Sequence, residues 1–203
     1  FGVPLPTDDA PDAAVKSAIS MISQLRVWNA ARIAVDNPAV NMGVGINTDN
    51  VVTGNIGSSK RMDFTMIGDG VNLAARLEGS CKTYGAQIII SEYTKSKLKG
   101  IYALRELDRI VVKGKTEPVS IFEVLDFHDE ETFPARMDVV GHFSEGLNHY
   151  RSTDFDAAIK SFSAALEANV NDVPSQLYIE RCNLFKNTPP PAGWSGEWVM
   201  TEK

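Results

Sequence analysis

The period of the apolar positions changes several times along the 203 residues, and each change marks an element. Val15, Ala18, Ile19, Ile22 and Leu25 recur every three or four residues, the spacing of a helix with one buried face. Pro11 sits in the first turn of that helix, where an amide proton has no partner to lose. In "VNMGVGIN" the period drops to two. Val40, Met42, Val44 and Ile46 alternate with Asn41, Gly43 and Gly45, which predicts a strand. Its glycine-lined face accepts the close approach of another backbone or of a ligand. "NTDN" reads as a turn into a second strand over 51–56, making a hairpin. "FTMI" predicts a short strand and Asp69 a helix cap, with Val71, Ala74 and Leu77 as the buried stripe of a helix over 70–82. "AQIIIS" reads as a strand apolar on both faces, followed by a short helix in "EYTKSKLK". "ALRELDRIVVK" and "VSIFEVLDF" are two further strands around a turn at 114–118. Alternating helices and strands predict a sheet packed on helices.

After Phe127 the pattern changes, so residues 1–127 and 128–203 are read as separate parts. "HDEETFPARMD" reads as a linker. Beyond it Gly146, Tyr150, Phe155, Ala158, Phe162 and Ala165 stand at the spacing of one tetratricopeptide helical hairpin, with Val170 in place of the usual closing proline. A helix over 173–185 is placed to cap that repeat. Such repeats need about three copies for independent stability, so this tail is expected to pack on the preceding part or on a partner. Trp194 and Trp198, in an irregular end, need somewhere to bury.

A content of 43% hydrophobic and 23% charged residues is ordinary for a globular protein. The net charge of -6 argues against a broad surface for nucleic acid or anionic membrane, so any phosphate chemistry rests on a few placed cations. Cys81 and Cys182 have no metal-ligand spacing and read as reduced thiols of a cytoplasmic protein. No apolar run approaches the roughly 20 residues that span a bilayer, so no direct membrane contact is expected from this chain, although a parent protein anchored by other segments is compatible with it. "FGVPLP", without a starting Met, reads as a strand running into a loop, and the amino-terminal part is expected to be missing. "GNIGSSK" lacks the spacing of a P-loop, and Gly43-Val44-Gly45 lies inside a strand instead of at a strand-to-helix turn. His128, His142 and His149 read as structural or surface residues, and Asp49 as a turn residue. Asp8, Asp9 and Asp12 read as acids favoured at a helix start.

Two polar residues interrupt the helix that follows Gly68-Asp69-Gly70. Asn72 and Arg76 are four apart and therefore share a face, which the strand-turn-helix entry turns toward whatever lies over the sheet. An arginine there presents a planar fork of donors suited to phosphate. Lys113, at a strand end in "VVKGKT", offers a second cation as a point charge. Together "GINTDNVVTGNIGSSKRMDFTMIGDGVNLAARLEG" and "VVKGKTEPVSIFEV" resemble the catalytic domain of class III nucleotidyl cyclases, the adenylate and guanylate cyclases, over roughly 1–125.

The resemblance implies an α+β fold, a ferredoxin-like sheet with packed helices, followed here by a small α-helical hairpin extension. It implies a homodimer with ATP (or GTP) at the interface and two Mg2+ or Mn2+ ions. It assigns the ribose to Asn72, charge developing on the phosphates to Arg76, the β- and γ-phosphates to Lys113 and the purine to Thr65. The family's metal-binding aspartates and main purine-selecting residue lie before Phe1, so no metal ligand is expected here and the isolated chain is expected to be inactive. A threonine hydroxyl both donates and accepts, and in the family it usually accompanies ATP. The expected reaction is therefore ATP to 3′,5′-cyclic AMP and pyrophosphate, a lyase reaction of intracellular signalling. The alternatives are a guanylate cyclase, a silent nucleotide-binding regulatory domain, or an interaction module working through its tail.

Overall fold

The computed structural model describes residues 1–58, 61–111 and 117–199. Helix α1 spans Ala10–Ile33, and three strands follow: β1 (Val44–Ile46), β2 (Val52–Ser58) and β3 (Arg61–Ile67). Then come α2 (Asp69–Tyr84), β4 (Ile88–Ser91), the single turn α3 (Glu92–Lys95), β5 (Leu104–Val111) and β6 (Val119–Val124). Helices α4 (Arg136–Arg151), α5 (Phe155–Ala168) and α6 (Val173–Asn187) and the short strand β7 (Trp198–Val199) complete the order.

The central sheet runs β1-β4-β6-β5-β7, and β2 and β3 form a ribbon of their own. The all-apolar reading of β4 holds, because both faces of the sheet are covered. Ile88 and Ile90 pack with Val15, Ala18 and Ile22 of α1. Ile89 points the other way, into a cluster with Leu73, Leu77, Cys81 and Tyr84 of α2. Each of these buried isoleucines contributes about 2 kcal/mol by burial. On β5 the in–out alternation breaks at Leu107 and Asp108, both buried, where a register shift interrupts the pairing with β6. Such a bulge turns an extra side chain inward, here a carboxylate.

The expected hairpin around "NTDN" does not form. β1 pairs in parallel with β4, and β2 instead pairs with β3, Val52 opposite Ile67 and Ser58 opposite Arg61. The cause is visible at Asn47. Its amide donates to Gly70 O at 3.1 Å and accepts from Ser91 Oγ at 2.6 Å, while the Thr48 and Thr94 hydroxyls meet at 3.1 Å. The chain leaving β1 is thus tied across the ends of α2 and β4. The predicted strand over 40–46 also shrinks to three residues, since Val40 is spent on Asn29, whose side chain bonds both its N–H and its carbonyl.

Two helix readings shift as well. The N-cap of α2 is Gly68, and Asp69 is the first residue of the helix. The buried stripe of α2 is Gly70, Leu73, Leu77, Ser80, Cys81 and Tyr84, whereas Val71 and Ala74 are half-buried. Asp12 is more than a helix-start acid. It is buried, accepting from Lys99 N at 2.9 Å, Gly100 N at 2.8 Å and Tyr102 Oη at 2.9 Å. Those bonds, the Lys99 amide foremost, hold its carboxyl below the usual range.

Helices α4 to α6 enclose an aromatic cluster of Phe143, Tyr150, Phe162 and Tyr178, onto which Trp194 packs. Trp198 is placed in β7, which pairs in parallel with β5. Helix α6 rests on the sheet, with Tyr178 Oη donating to Leu107 O at 2.9 Å. Among the described residues no helix is long and apolar enough to cross a membrane.

Candidate active site

Helix α2 carries the two polar residues that the sequence singled out. It ends at Gly85, whose φ of 61° is the left-handed turn that glycine adopts freely, with Ala86 N returning to Cys81 O at 3.0 Å. It lies against β1 at van der Waals limit. A Cβ on Gly45 would come within 2.3 Å of both Ala74 O and Glu78 N. The glycine-lined face of the strand therefore admits a backbone, that of α2.

On this helix Asn72 is exposed and Arg76 half-buried, one turn and about 6 Å of axial rise apart. They lie beside the buried stripe of Leu73 and Leu77. Thr65 is carried by another element. It is half-buried in β3, paired across the ribbon with Gly54. Lys113 lies outside the described residues. The fold thus brings Asn72 and Arg76 together on one face and sets Thr65 on the ribbon.

A cavity of about 370 Å³ opens between the start of α1, β1, the ribbon and the other flank of α2, lined by Phe1, Val44, Ile46, Asp49, Met66 and Val71 among others. Asn72, Arg76 and Thr65 do not line it. Among the described residues no group of three or more His, Cys, Asp or Glu side chains could hold a metal ion. Thiol chemistry has no footing either. Burial pushes Cys81 up to about 11 and Cys182 up to about 12, leaving both protonated at neutral pH.

Two polar networks at the ends of α2 escaped the sequence reading. At its start stand Asn47, Ser91 and Thr94, the last also donating to Ile46 O at 3.3 Å. At its end Tyr84 Oη donates to Asp108 Oδ2 at 2.5 Å, and Arg181 Nη1 donates to the same oxygen at 2.6 Å. Nearby, Arg105 gives Nε and Nη2 to Glu123 Oε2 at 3.0 and 2.6 Å and Nη1 to Asp172 Oδ1 at 2.5 Å. Burial disfavours the Arg105 charge, yet Glu123 and Asp172 hold it above the usual arginine range. The signal for these groups was charge at inward strand positions, Arg105 and Asp108 on β5 and Glu123 on β6, and the bulge disguises it on β5.

Residues 1–125 match the model of the adenylate and guanylate cyclase catalytic domain. The chain belongs to that family. It is 34% identical over 172 residues to "Adenylate cyclase, terminal-differentiation specific" of Dictyostelium discoideum, covering 83% of this chain and 8% of the relative. It is 40% identical over 124 residues to an adenylate cyclase of Anabaena cylindrica, covering 58% of this chain and 25% of the relative. The chain therefore spans only a small part of either. Among solved structures, the adenylyl cyclase CyaB from P. aeruginosa superposes with a TM-score of 0.54 at 34% identity, over 61% of this chain and 64% of that one. The guanylyl cyclase Cya2 gives 0.53 at 35% identity, over 61% and 62%. These neighbours share the α+β sheet with packed helices. The Dictyostelium match is longer than the 125 residues of the cyclase domain, so similarity continues into the helices that follow it.

Proposed function

We propose that this domain converts ATP to 3′,5′-cyclic AMP and pyrophosphate, an adenylate cyclase of intracellular signalling. The supporting observation is that Asn72 and Arg76 sit one turn apart on one face of α2, beside its buried stripe, within a cyclase domain. The curated relatives named above are adenylate cyclases. Cyclisation is attack of the ribose 3′-hydroxyl on the α-phosphorus with pyrophosphate leaving, so catalysis is positioning and charge stabilisation. The Asn72 amide, donor and acceptor at once, orients the ribose. The Arg76 fork meets charge that grows on the phosphates toward the transition state. Lys113 takes the β- and γ-phosphates, and Thr65 accepts from the 6-amino group of adenine.

Mg2+ or Mn2+, when bound, would activate the hydroxyl and neutralise the leaving group. The donor set of the described residues does not fit such a pair, and no step is assigned to it. Residues 1–203 alone are accordingly expected to make little product, and measured cyclic nucleotide from them would reverse that expectation.

The acting unit is a homodimer in the cytoplasm. The ribbon of β2 and β3 supports this, because it exposes Val52, Ile56, Met62, Phe64, Met66 and Ile67. A two-stranded ribbon of that character is marginal in water without a covering surface. A two-fold pairing gives two equivalent sites. Specific activity should then fall on dilution. The helices of 128–203 form a tetratricopeptide-like appendage to the cyclase part, 1–127. Gly146 faces the Phe162 ring as that helical hairpin requires, where a Cβ would lie 2.5 Å from the ring.

Arg76→Ala in the intact enzyme should lower turnover by roughly 10²-fold with nucleotide affinity nearly unchanged. Unaltered turnover would remove Arg76 from the chemistry. A second reading, GTP as substrate, draws on the guanylyl cyclase that matches as well as the adenylyl one. Turnover measured with each nucleotide separates the two.

A further inference from the structure

Helix α2 must hold Asn72 and Arg76 still if they are to meet a nucleotide, and the two ends of that helix are secured differently. Its start is tied within the cyclase part, by Asn47 to Gly70 O. Its end is tied both from inside residues 1–125, by Asp108, and from outside them, by Arg181 and Val173. From Asn72 to Tyr84 is 12 residues, about 18 Å along the helix axis. Tyr84 is fully buried, its hydroxyl donating to Asp108 and receiving Arg181 Nη2 at 3.3 Å. Arg181 belongs to α6. It is seated against the rings of Tyr178 and Trp198, at 4.9 and 4.1 Å from their centroids. Asp108 is fixed in turn, its Oδ1 accepting from Arg109 N at 2.6 Å. One residue beyond Tyr84, the Gly85 turn abuts Val173 so closely that an added Cβ would fall 2.7 Å from its side chain. Leu177 of α6 packs on the cluster that contains Leu77, Cys81 and Tyr84.

Apolar groups of the same volume would bury at least as favourably as this charged triad. What the triad adds is direction. Three hydrogen bonds converging on one carboxylate and one phenol fix α2 along its axis, where apolar packing would let it slide.

We propose that Tyr84 is a positioning residue for the reaction. Held by Asp108 and Arg181, it lets the carboxy-terminal helices set the axial position of α2, and so the place of Asn72 and Arg76. This rests on the reading of those two as catalytic groups.

Tyr84→Phe tests it, because the ring and its packing stay and only the hydroxyl goes. In the intact enzyme kcat should fall about tenfold with the KM for nucleotide within about twofold. Amide exchange over residues 71–77 should quicken at least about fivefold while residues 88–91 of β4 keep their rates. Arg181→Lys, which keeps a cation on Asp108 but loses the fork that reaches Tyr84, should show the same pattern. It serves as the reporter if Tyr84→Phe does not fold. Unchanged kcat in the folded variants, or exchange that quickens equally through α2 and β4, overturns the proposal. If the parent enzyme makes no cyclic nucleotide, the catalytic reading fails by itself. The exchange arm then still decides the tie: selective quickening of 71–77 upholds it and its absence ends it.

Discussion

At the scale of single residues, the tightest constraint on the site is a missing methyl. Gly45 lets α2 touch β1, and Gly45→Ala would drive a Cβ to 2.3 Å from two backbone atoms of the helix. No side-chain rotation relieves that, so α2 must shift. We expect a loss of roughly 1–3 kcal/mol in urea unfolding, seen as a lower midpoint at unchanged slope. Nucleotide turnover should fall further than stability alone explains, because the shifted helix is the one bearing Asn72 and Arg76. His128 makes a second prediction. Burial, reinforced by Arg105, Arg136 and Arg26 and opposed by Asp129, pushes its imidazole down to about 4. A histidine held neutral in the fold binds its proton more readily when unfolded, so its contribution to stability is present above about 6.5 and is lost as pH falls toward about 4. His128→Phe keeps a ring beside Phe127 and Phe133, which lie 4.1 and 5.3 Å from it. That variant should lose less melting temperature between pH 7 and pH 5 than the parent, and an equal loss would assign the acid limb to other groups.

At the scale of elements, one carboxylate both starts a helix and joins it to the sheet. Asp172 caps α6 through Ser175 N at 3.2 Å and Ser175 Oγ at 2.5 Å, and its other oxygen holds Arg105 of β5. Asp172→Ala removes the cap, worth about 1 kcal/mol. It also leaves a buried guanidinium short of one partner, so the total should reach about 3–5 kcal/mol. Asp172→Asn retains an oxygen for the cap and should cost visibly less. Denaturant titration of the two variants checks the order, and equal losses would mean that the charge plays no part. This element also shows why part of the fold escaped the sequence. The periods of α2 and β4 were legible because a single buried face dictates them. The phase of α2 was not, since Leu73 and Val71 are equally apolar and only the position of Gly45 chooses between them. Pairing partners were less legible still. Asn47 looked like a turn residue, and its bonds to Gly70 and Ser91, 23 and 44 residues away, have no local trace.

At the scale of the whole molecule, the shared face of Asn72 and Arg76 was legible in the sequence because both lie on one helix turn, a local relation. The groups that hold that helix could not, because Tyr84, Asp108 and Arg181 are joined only by folding, 24 and 73 residues apart. The same long-range network carries a consequence for any attempt to divide the chain. The spacing of α4 and α5 suggests an accessory that could be cut away with the chemistry intact. Yet removing residues 133–203 would strip Arg181 from Asp108, Asp172 from Arg105 and Tyr178 from Leu107 O. It would also uncover Leu107 and Tyr84, both fully buried in the complete chain. Such a fragment keeps α1 on one face of the sheet and α2 on the other, but loses the part of the second face that α6 covers. We expect residues 1–132 to retain far-ultraviolet circular dichroism, to bind a hydrophobic dye and to melt without a sharp transition, the signs of lost tertiary packing. A sharp melt with no dye binding would show that α2 and the sheet close without help, and the carboxy-terminal helices would then be a passenger on the domain instead of part of its second wall.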